Sequence, residues 1–348
     1  MAENTETRLE RLLTDAIESR EIPGAVAAIG VGPDVRWQYV GGYAVLEGRP
    51  PLPMQETTRF DLASLTKVMA TLPAILELAG SGVVTLDDPV GLFLPGFQDG
   101  LWQDVTIKRL LTHTAGLAPT KPYFETTTGL EDFLNAIRIS GLELAPGRQV
   151  VYSDLGYILL GAVVSRVTGR PFDEWVRESI WLPLGLTETR YGPIAPDLAA
   201  ATEVIQGFPL QGTVHDENAR ALGGISGHAG VFAPLRDVIR YIQAWCDPDH
   251  PWLSGWIRQQ SVSCHTTGLG GRRGLGWVLR GDAYDVAGDF WPETTVSHTG
   301  FTGTSVVWDG PSRCWAVLLT NRVHLGRDRN IGRLRRRFHN VAAQLLAR

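Results

Sequence analysis

The sequence predicts an α+β fold in which an antiparallel sheet, flanked by N-terminal and C-terminal helices, carries an inserted and mostly helical domain. Three observations predict this fold. The chain opens with a helical pattern followed by strand patterns; a long, mainly helical block comes next; and strand patterns return near residue 262 before a final helical pattern. We therefore assign residues 1–60 and 262–348 to one discontinuous sheet domain and residues 61–261 to the inserted domain.

The first half of the chain gives the clearest elements. Leucine and isoleucine recur at helical intervals over residues 5–20, and "EIPG" ends that helix. "AVAAIGV" is typical of a strand, "GPD" of a turn, and "VRWQYV" of the strand that pairs with the first. Residues 61–180 are mostly helical in pattern, whereas residues 183–262 are rich in Pro, Gly and His and give no clear element.

The last part of the chain predicts four further strands and a closing helix. The strand patterns are "GLGWVLRG", "TVSHTG", "TSVVWDG" and "CWAVLLTNRV", with turn residues between them. The basic, periodic "RNIGRLRRRFHNVAAQLLAR" predicts a helix whose arginines form a solvated face. These strands complete the sheet that the first strands begin.

Composition excludes several classes of partner. A net charge of −5 and a pI near 5.9 give no reason to expect nucleic acid or an anionic membrane as a partner. No apolar run approaches the length of a membrane span, and the first twenty residues contain no apolar signal region. We therefore expect a cytoplasmic protein, and the sequence offers no argument about its oligomeric state.

One lysine stands in an unusual place. The chain has only three lysines, Lys67, Lys108 and Lys121, against 29 arginines. Lys67 lies three residues after Ser64 in the apolar segment "RFDLASLTKVMATLPAILELAG", residues 59–80, most of which is predicted to form a buried helix. At that spacing both side chains share one helix face, the helix N-terminus favours a developing alkoxide, and a buried amine can accept a proton. Alternatively, Ser64 only caps the helix while Lys67 reaches water, so the SxxK pattern needs partners.

Two later segments supply those partners. "VVYSDLGY" contains Tyr152 and Asp154, and "VSHTGFTGTS" places His298-Thr299-Gly300 at the end of a predicted strand. In this chain order the segments resemble the SxxK, YxN and KTG motifs of serine β-lactamases and penicillin-binding proteins. The resemblance is to the class C side of that superfamily, with its carboxylesterase relatives, and covers roughly residues 10–345. "GVVTLDDPVGLFLPGF", "TIKRLLTHTAGL", "GYILLGAVVSRVTGRPFDEWV" and "LPLGLTETRY" are also similar to that family.

The resemblance implies a β-lactamase/transpeptidase-like fold with the active site between its two domains. It also implies that Ser64 is a nucleophile that forms an acyl-enzyme, while Lys67 and Tyr152 share the acid and base work. The backbone N–H groups of Ser64 and Phe301 would form the oxyanion hole. Asp154 and the triplet at residues 298–300 would contact substrate.

Two positions depart from the family pattern, since Asp154 replaces asparagine and His298 replaces lysine. A histidine is mostly neutral at pH 7, and an added carboxylate opposes an anionic substrate and favours a charged Lys67. We therefore expect a carboxylesterase-like hydrolase of small esters or amides, with weak or no β-lactamase activity. The alternatives are a true β-lactamase, a D-Ala-D-Ala carboxypeptidase or penicillin-binding protein, an acyltransferase, and a catalytically inactive binding module.

Other candidates are weaker. His113 in "THTAGL" is interpreted as a structural turn residue. His215, Asp216, Glu217 and His228 match no zinc spacing, so that segment is expected to form a rim of the cleft, with no metal. No G-x-S-x-G elbow, dinucleotide fingerprint or P-loop occurs, so we expect no cofactor.

Overall fold

The computed structural model describes residues 4–347; the outermost residues of the predicted sheet domain, 1–3 and 348, lie outside the described residues. A seven-stranded sheet dominates the fold, with strand order β3-β2-β1-β12-β11-β10-β9 and antiparallel pairing throughout. Its strands are β1 (Gly24–Val31), β2 (Asp34–Val45), β3 (Leu52–Pro53), β9 (Val278–Leu279), β10 (Val296–Thr299), β11 (Ser305–Asp309) and β12 (Cys314–Thr320). The predicted antiparallel sheet and α+β class are confirmed.

The two ends of the chain meet in the middle of this sheet. β1 pairs with β12 from Ala25–Thr320 to Val31–Cys314. Alternate residues of β1 face opposite ways, as strand geometry requires. Ala25, Ala27 and Ile29 pack on helices α1 (Thr5–Glu18) and α10 (Gly332–Leu346), whereas Val26 and Ala28 join the larger core on the other face.

The remaining elements lie between β3 and β9 in the chain. The helices are α2 (Leu72–Gly80), α3 (Ile107–Leu111), α4 (Leu130–Ser140), α5 (Asp154–Thr168), α6 (Phe172–Val176), α7 (Glu217–Ala221), α8 (Leu235–Cys246) and α9 (Gly255–Val262). The strands are β4 (Arg59–Asp61), β5 (Arg190–Tyr191), β6 (Ala201–Ile205), β7 (Phe208–Gln211) and β8 (Val231–Pro234). β4, β8 and β5 form a small sheet, and β6 and β7 form a hairpin. The boundaries of the two domains stay a prediction.

The segment at residues 59–80 is not the single helix that its pattern predicts. It forms β4, a 3-10 turn at Ala63–Leu65, a π-helical turn at Lys67–Thr71 and then α2. Pro73 has no N–H to donate to the carbonyl of Met69, which accepts from the indole of Trp181 at 2.8 Å instead. The irregular helix therefore begins with Lys67, and Ser64 lies on a separate tight turn.

Across residues 4–347, no helix combines the length and the apolar character needed to span a bilayer.

Candidate active site

The turn that carries Ser64 is held in a conformation that few residues adopt. Ala63, directly before it, has a φ of +46°, in the left-handed region that disfavours a side chain. The backbone N–H of Ala63 donates to Oδ1 of Asp61 at 2.8 Å, and Oδ2 of Asp61 accepts from the N–H of His215 at 2.7 Å. Burial raises the pKa of Asp61, although these two hydrogen bonds oppose the rise. Asp61, which the sequence patterns did not single out, thus ties the serine turn to the loop at residues 215–228.

Lys67 is completely buried, and its ammonium group has a full set of acceptors. Nζ donates to Oγ of Ser64 at 2.9 Å, to Oδ1 of Asp154 at 2.7 Å and to the carbonyl of His228 at 3.2 Å. Burial acts to lower the pKa of Lys67, but the neighbouring Asp154 and Tyr152 outweigh it, so that the pKa is raised. Lys67 is therefore a charged donor to Ser64 rather than a ready acceptor of its proton.

Tyr152 lies beside this pair, just before α5. Nζ of Lys67 is 5.0 Å from the centre of the Tyr152 ring, and the ring centres of His113 and Tyr152 are 4.4 Å apart. The next residue, Ser153, fixes the backbone: its N–H donates to Nδ1 of His113 at 3.1 Å, and its hydroxyl donates to the carbonyl of Ala118 at 2.6 Å. His113 thus supports the Tyr152 segment, and its φ of +59° agrees with the predicted turn.

The end of β10 forms the opposite wall. His298 is buried; Nδ1 lies 3.0 Å from the carbonyl of Thr299, and Nε2 has no hydrogen-bond partner among residues 4–347. Burial, with the positive charges of Lys67 and Arg273, holds the pKa of His298 well below its usual range. His298 is therefore a neutral group where the related motif has a lysine.

Gly300 allows this wall to approach the serine turn. A Cβ at residue 300 would lie 2.2 Å from Oγ1 of Thr304 and 2.3 Å from the carbonyl of Leu62, distances that no side chain tolerates. The hydroxyl of Thr302 also donates to the carbonyl of Asp61 at 2.6 Å. The small residues after His298 therefore pack this loop against the chain's own backbone.

A cleft of about 380 Å³ opens over the serine turn. Ser64, Tyr152, Asp154 and Phe301 line it, and the rim includes His215, Asp216 and Glu217, as the sequence predicted for that segment. Lys67 and His298 are buried, and Thr299 lines a different depression. The structure thus brings the three predicted catalytic residues together, but only Asp154 of the predicted substrate-binding set lines the cleft.

The polar residues of the 215–228 loop are paired with one another or with neighbouring segments. The ring of His228 contacts Asp216 through Nε2 at 2.8 Å and Ser226 through Nδ1 at 2.7 Å. Nε2 of His215 lies 3.0 Å from Glu203, and Arg327 donates twice to Glu217, at 2.7 and 3.1 Å. No cluster of three or more His, Cys, Asp or Glu side chains suited to a metal ion occurs in the described part of the chain. These contacts hold the His228 carbonyl, which accepts from Lys67, and the rim residues of the cleft in place.

Comparisons with known proteins give the family of the chain. A family model described as Beta-lactamase matches residues 9–340. The chain is 33% identical over 310 residues to the Escherichia coli (strain K12) protein named "Putative D-alanyl-D-alanine carboxypeptidase", covering 79% of this chain and 71% of that protein. It is 32% identical over 313 residues to the N-acetylmuramyl-L-alanine amidase of Bacillus subtilis (strain 168), covering 79% of this chain and 70% of the relative.

A solved structure extends the similarity to the whole fold. It is described as EstCE1, a hydrolase with promiscuous acyltransferase activity, and it matches with a TM-score of 0.79 and 25% sequence identity. The match covers 97% of this chain and 98% of EstCE1. The residues matched by the family model include Ser64, Tyr152 and His298.

Proposed function

The chain belongs to the beta-lactamase family of serine hydrolases, and on that premise we propose that it hydrolyses small neutral esters or amides through an acyl-enzyme on Ser64. One observation carries the proposal. The hydroxyl oxygen of Ser64 lies 2.9 Å from a fully buried, charged lysine, at the floor of a cleft that Tyr152 also lines. A serine held by a buried ammonium beside a phenol is equipped for nucleophilic catalysis.

The hydrogen bonds of Lys67 favour Tyr152 as the base in this proposal. Because Lys67 already donates to three acceptors, the proton of Ser64 leaves toward the Tyr152 phenolate as Oγ attacks the substrate carbonyl carbon. The negative charge that develops on the carbonyl oxygen would be stabilised by the backbone N–H groups of Ser64 and Phe301.

Tyr152 then returns the proton to the leaving alkoxide or amine as the bond between it and the carbonyl carbon breaks. Water repeats these steps on the acyl-enzyme, which releases the acid and restores Ser64. Tyr152 is among the groups that raise the pKa of Lys67, so the acid limb of a pH–rate profile reports on the two groups together.

Charge pairing in the cleft supports a neutral substrate. Asp154 is bound to Lys67, and Asp216 and Glu217 are bound to His228 and Arg327. His298 is neutral and buried, so the residue that replaces the lysine of the related motif offers no positive charge to a substrate carboxylate. The exposed rings of Phe124 and Phe301 add apolar surface to the lining of the cleft.

A second candidate function is a peptidase acting on peptides that end in a carboxylate. Lys121 lines the cleft and forms no ion pair within the described residues, so it offers a cation at a different place from β10. The names of the E. coli and B. subtilis relatives also refer to a peptidase and an amidase. Comparing kcat/KM for a p-nitrophenyl ester with that for a dipeptide ending in D-alanine separates the two.

Active-site labelling tests the proposed function. We expect a fluorophosphonate to modify Ser64, mapped by mass spectrometry, and penicillin to label it slowly or not at all. Ser64→Ala should abolish labelling, whereas Ser261→Ala, which removes a buried serine of α9, should keep it. A phosphonate adduct on another serine would reject the site. Acylation by a chromogenic cephalosporin as fast as by the ester would favour a true β-lactamase.

A further inference from the structure

A second buried cation lies near Tyr152. Arg273 is only 1% exposed, and its guanidinium carbon is 5.9 Å from the centre of the Tyr152 ring. It is also 5.0 Å from the ring centre of Tyr284, which stacks on Tyr152 with ring centres 5.8 Å apart and an interplanar angle of 25°. No motif predicted a charge at this place.

The guanidinium is fixed in position. Its Nε and Nη2 donate to the two carboxylate oxygens of Asp282 at 3.2 and 3.0 Å, and the Arg273 N–H donates to Thr266 at 2.9 Å. Asp282 is itself held by the backbone N–H groups of Arg272 and Tyr284, at 2.7 and 2.8 Å. A two-point pair of this kind sets both the distance and the orientation of the charge.

One nitrogen of this guanidinium is left over. Nη1 of Arg273 is shielded from solvent and has no hydrogen-bond partner in residues 4–347. A buried donor without a partner costs free energy, and this one belongs to a charge that lies beside the ring of Tyr152.

The carboxylates closest to the two cations are paired with them, Asp282 with Arg273 and Asp154 with Lys67. Lys67, 5.0 Å from the ring centre, is a second cation and takes the nearest carboxylate, Asp154. The rings of His113 and His298 lie 4.4 and 6.4 Å away. Burial, and after it the charge of Arg273 among others, lowers the pKa of both histidines well below its usual range, so both are neutral.

The two nearby tyrosines carry no charge either. Tyr157 is buried, which raises the pKa of its phenol, while the charge of Arg273 acts in the opposite direction. Tyr284 is more than half exposed and stacks between Tyr152 and solvent. The ring of Tyr152 therefore lies close to two buried cations, each of which is paired with a carboxylate.

We propose that Arg273 is a positioning residue for Tyr152, whose buried positive charge stabilises the phenolate that accepts the Ser64 proton and replaces the cation that His298 does not supply. The inference rests on the proposed function and extends it. The charge acts through space from behind the ring, so Arg273 does not need to touch the substrate. Its removal should raise the apparent pKa of the Lys67–Tyr152 pair, because the phenolate loses a favourable interaction.

The experiment is a pH profile of kcat/KM for a p-nitrophenyl ester, which reports groups of the free enzyme. In Arg273→Gln, which can still donate to Asp282, the acid limb should move up by about one to two pH units. At pH values below the acid limb, that shift lowers kcat/KM about 10- to 100-fold relative to the parent protein. On the high-pH plateau, kcat/KM of the variant should lie much closer to that of the parent protein. Arg273→Lys, which keeps the charge, should hold the limb near its original position.

A matched control and a second variant separate the possible outcomes. Arg258→Gln removes another buried guanidinium, one that lines a separate cavity, and should leave the profile in place. If Arg273→Gln does not fold, the Arg273→Met/Asp282→Asn pair, which removes both charges, is measured instead. If the acid limb of Arg273→Gln does not move while its melting temperature falls, the inference is overturned, and the role of Arg273 is only to hold its loop in place. A parent protein that no fluorophosphonate labels at Ser64 would instead reject the proposed function.

Discussion

The two walls of the cleft differ in whether their buried polar groups have hydrogen-bond partners. In the serine wall (the turn from Asp61 to Lys67, with Asp154), all three hydrogens of the Lys67 ammonium have acceptors. In the strand wall (the end of β10 with His298, and Arg273 behind it), Nε2 of His298 and Nη1 of Arg273 are buried without partners in the described residues. The hydrogen bonds in the serine wall fix the positions of the Lys67 protons. In the strand wall, the positive charge of Arg273 lies close enough to act on Tyr152.

This difference suggests separate roles for the two cations, one holding Ser64 and the other acting on Tyr152. A saturated cation is an anchor: it holds the Ser64 oxygen in place and does not easily change its own protonation. A buried cation with an unsatisfied donor is less stable, and in this wall the cation lies close enough to Tyr152 to act on a charge there. Variants that disturb one wall at a time test this division.

The largest effect is expected from the serine wall. Lys67→Met should lower kcat/KM about 10³-fold or more, because the Ser64 oxygen loses its charged donor during attack. Adding Asp154→Asn should recover thermal stability by removing an unpaired carboxylate, without recovering activity. Lys108→Met, which breaks only an exposed pair with Asp87, is the control and should retain activity. A Lys67→Met enzyme within tenfold of the parent would show that the anchor is not needed.

A charge moved within the strand wall should have the next largest effect. Introducing His298→Lys into Arg273→Gln restores a cation beside Tyr152 and should return the acid limb of the kcat/KM profile most of the way. His298→Lys alone places two cations together and should lower the melting temperature. If the double variant keeps the shifted limb, the place of the charge matters more than its presence, and the idea that Arg273 replaces a β10 cation fails.

The strand wall should also make the fold sensitive to acid. The folded-state pKa of His298 lies below the usual value near 6.5, so the unfolded chain binds a proton that the folded one does not. The stability from this histidine is complete above pH 6.5 and is lost as pH falls toward its folded-state pKa, by about 1.4 kcal/mol per pH unit. His298→Asn should reduce the slope of the free energy of unfolding against pH by the contribution of one proton. Urea unfolding from pH 7 to 5 measures this slope.

His339 gives an internal reference for that measurement. It lies on α10, and burial, with the charge of Arg335, lowers its pKa to about 3. His339→Asn should flatten the same curve with little effect on the kcat/KM profile. An acid dependence unchanged by His298→Asn would mean that its protonation is not linked to folding.

The sequence predicted the sheet well because its signals are local. Alternation in β1, turn residues between the later strands and helical periodicity in α1 and α10 are all decided within a few residues. The helix pattern at residues 59–80 was wrong in detail, because Pro73 and a distant donor, the Trp181 indole, decide which carbonyls the helix leaves free.

The candidate site was predictable only where side chains follow a known spacing. The SxxK spacing and the motifs at Tyr152 and His298 brought three segments together correctly. Arg273 and Asp61 have no such pattern, since their roles depend on burial and on partners far away in the chain, Tyr152 and His215. A charge that acts through space requires no particular residues next to it in the sequence, so no sequence pattern predicts it.

The smallest expected effect lies outside both walls. Lys121 lines the cleft without an ion pair among residues 4–347, so it can meet a carboxylate on a bound substrate. Lys121→Gln should raise KM for an ester that carries a remote carboxylate up to about fivefold, the usual range for an accessible pair. KM for the neutral analogue should not change. An equal rise for both esters would indicate that Lys121 shapes the cleft, and a rise far above tenfold would mean that carboxylate recognition, not the neutral pocket, defines the substrate.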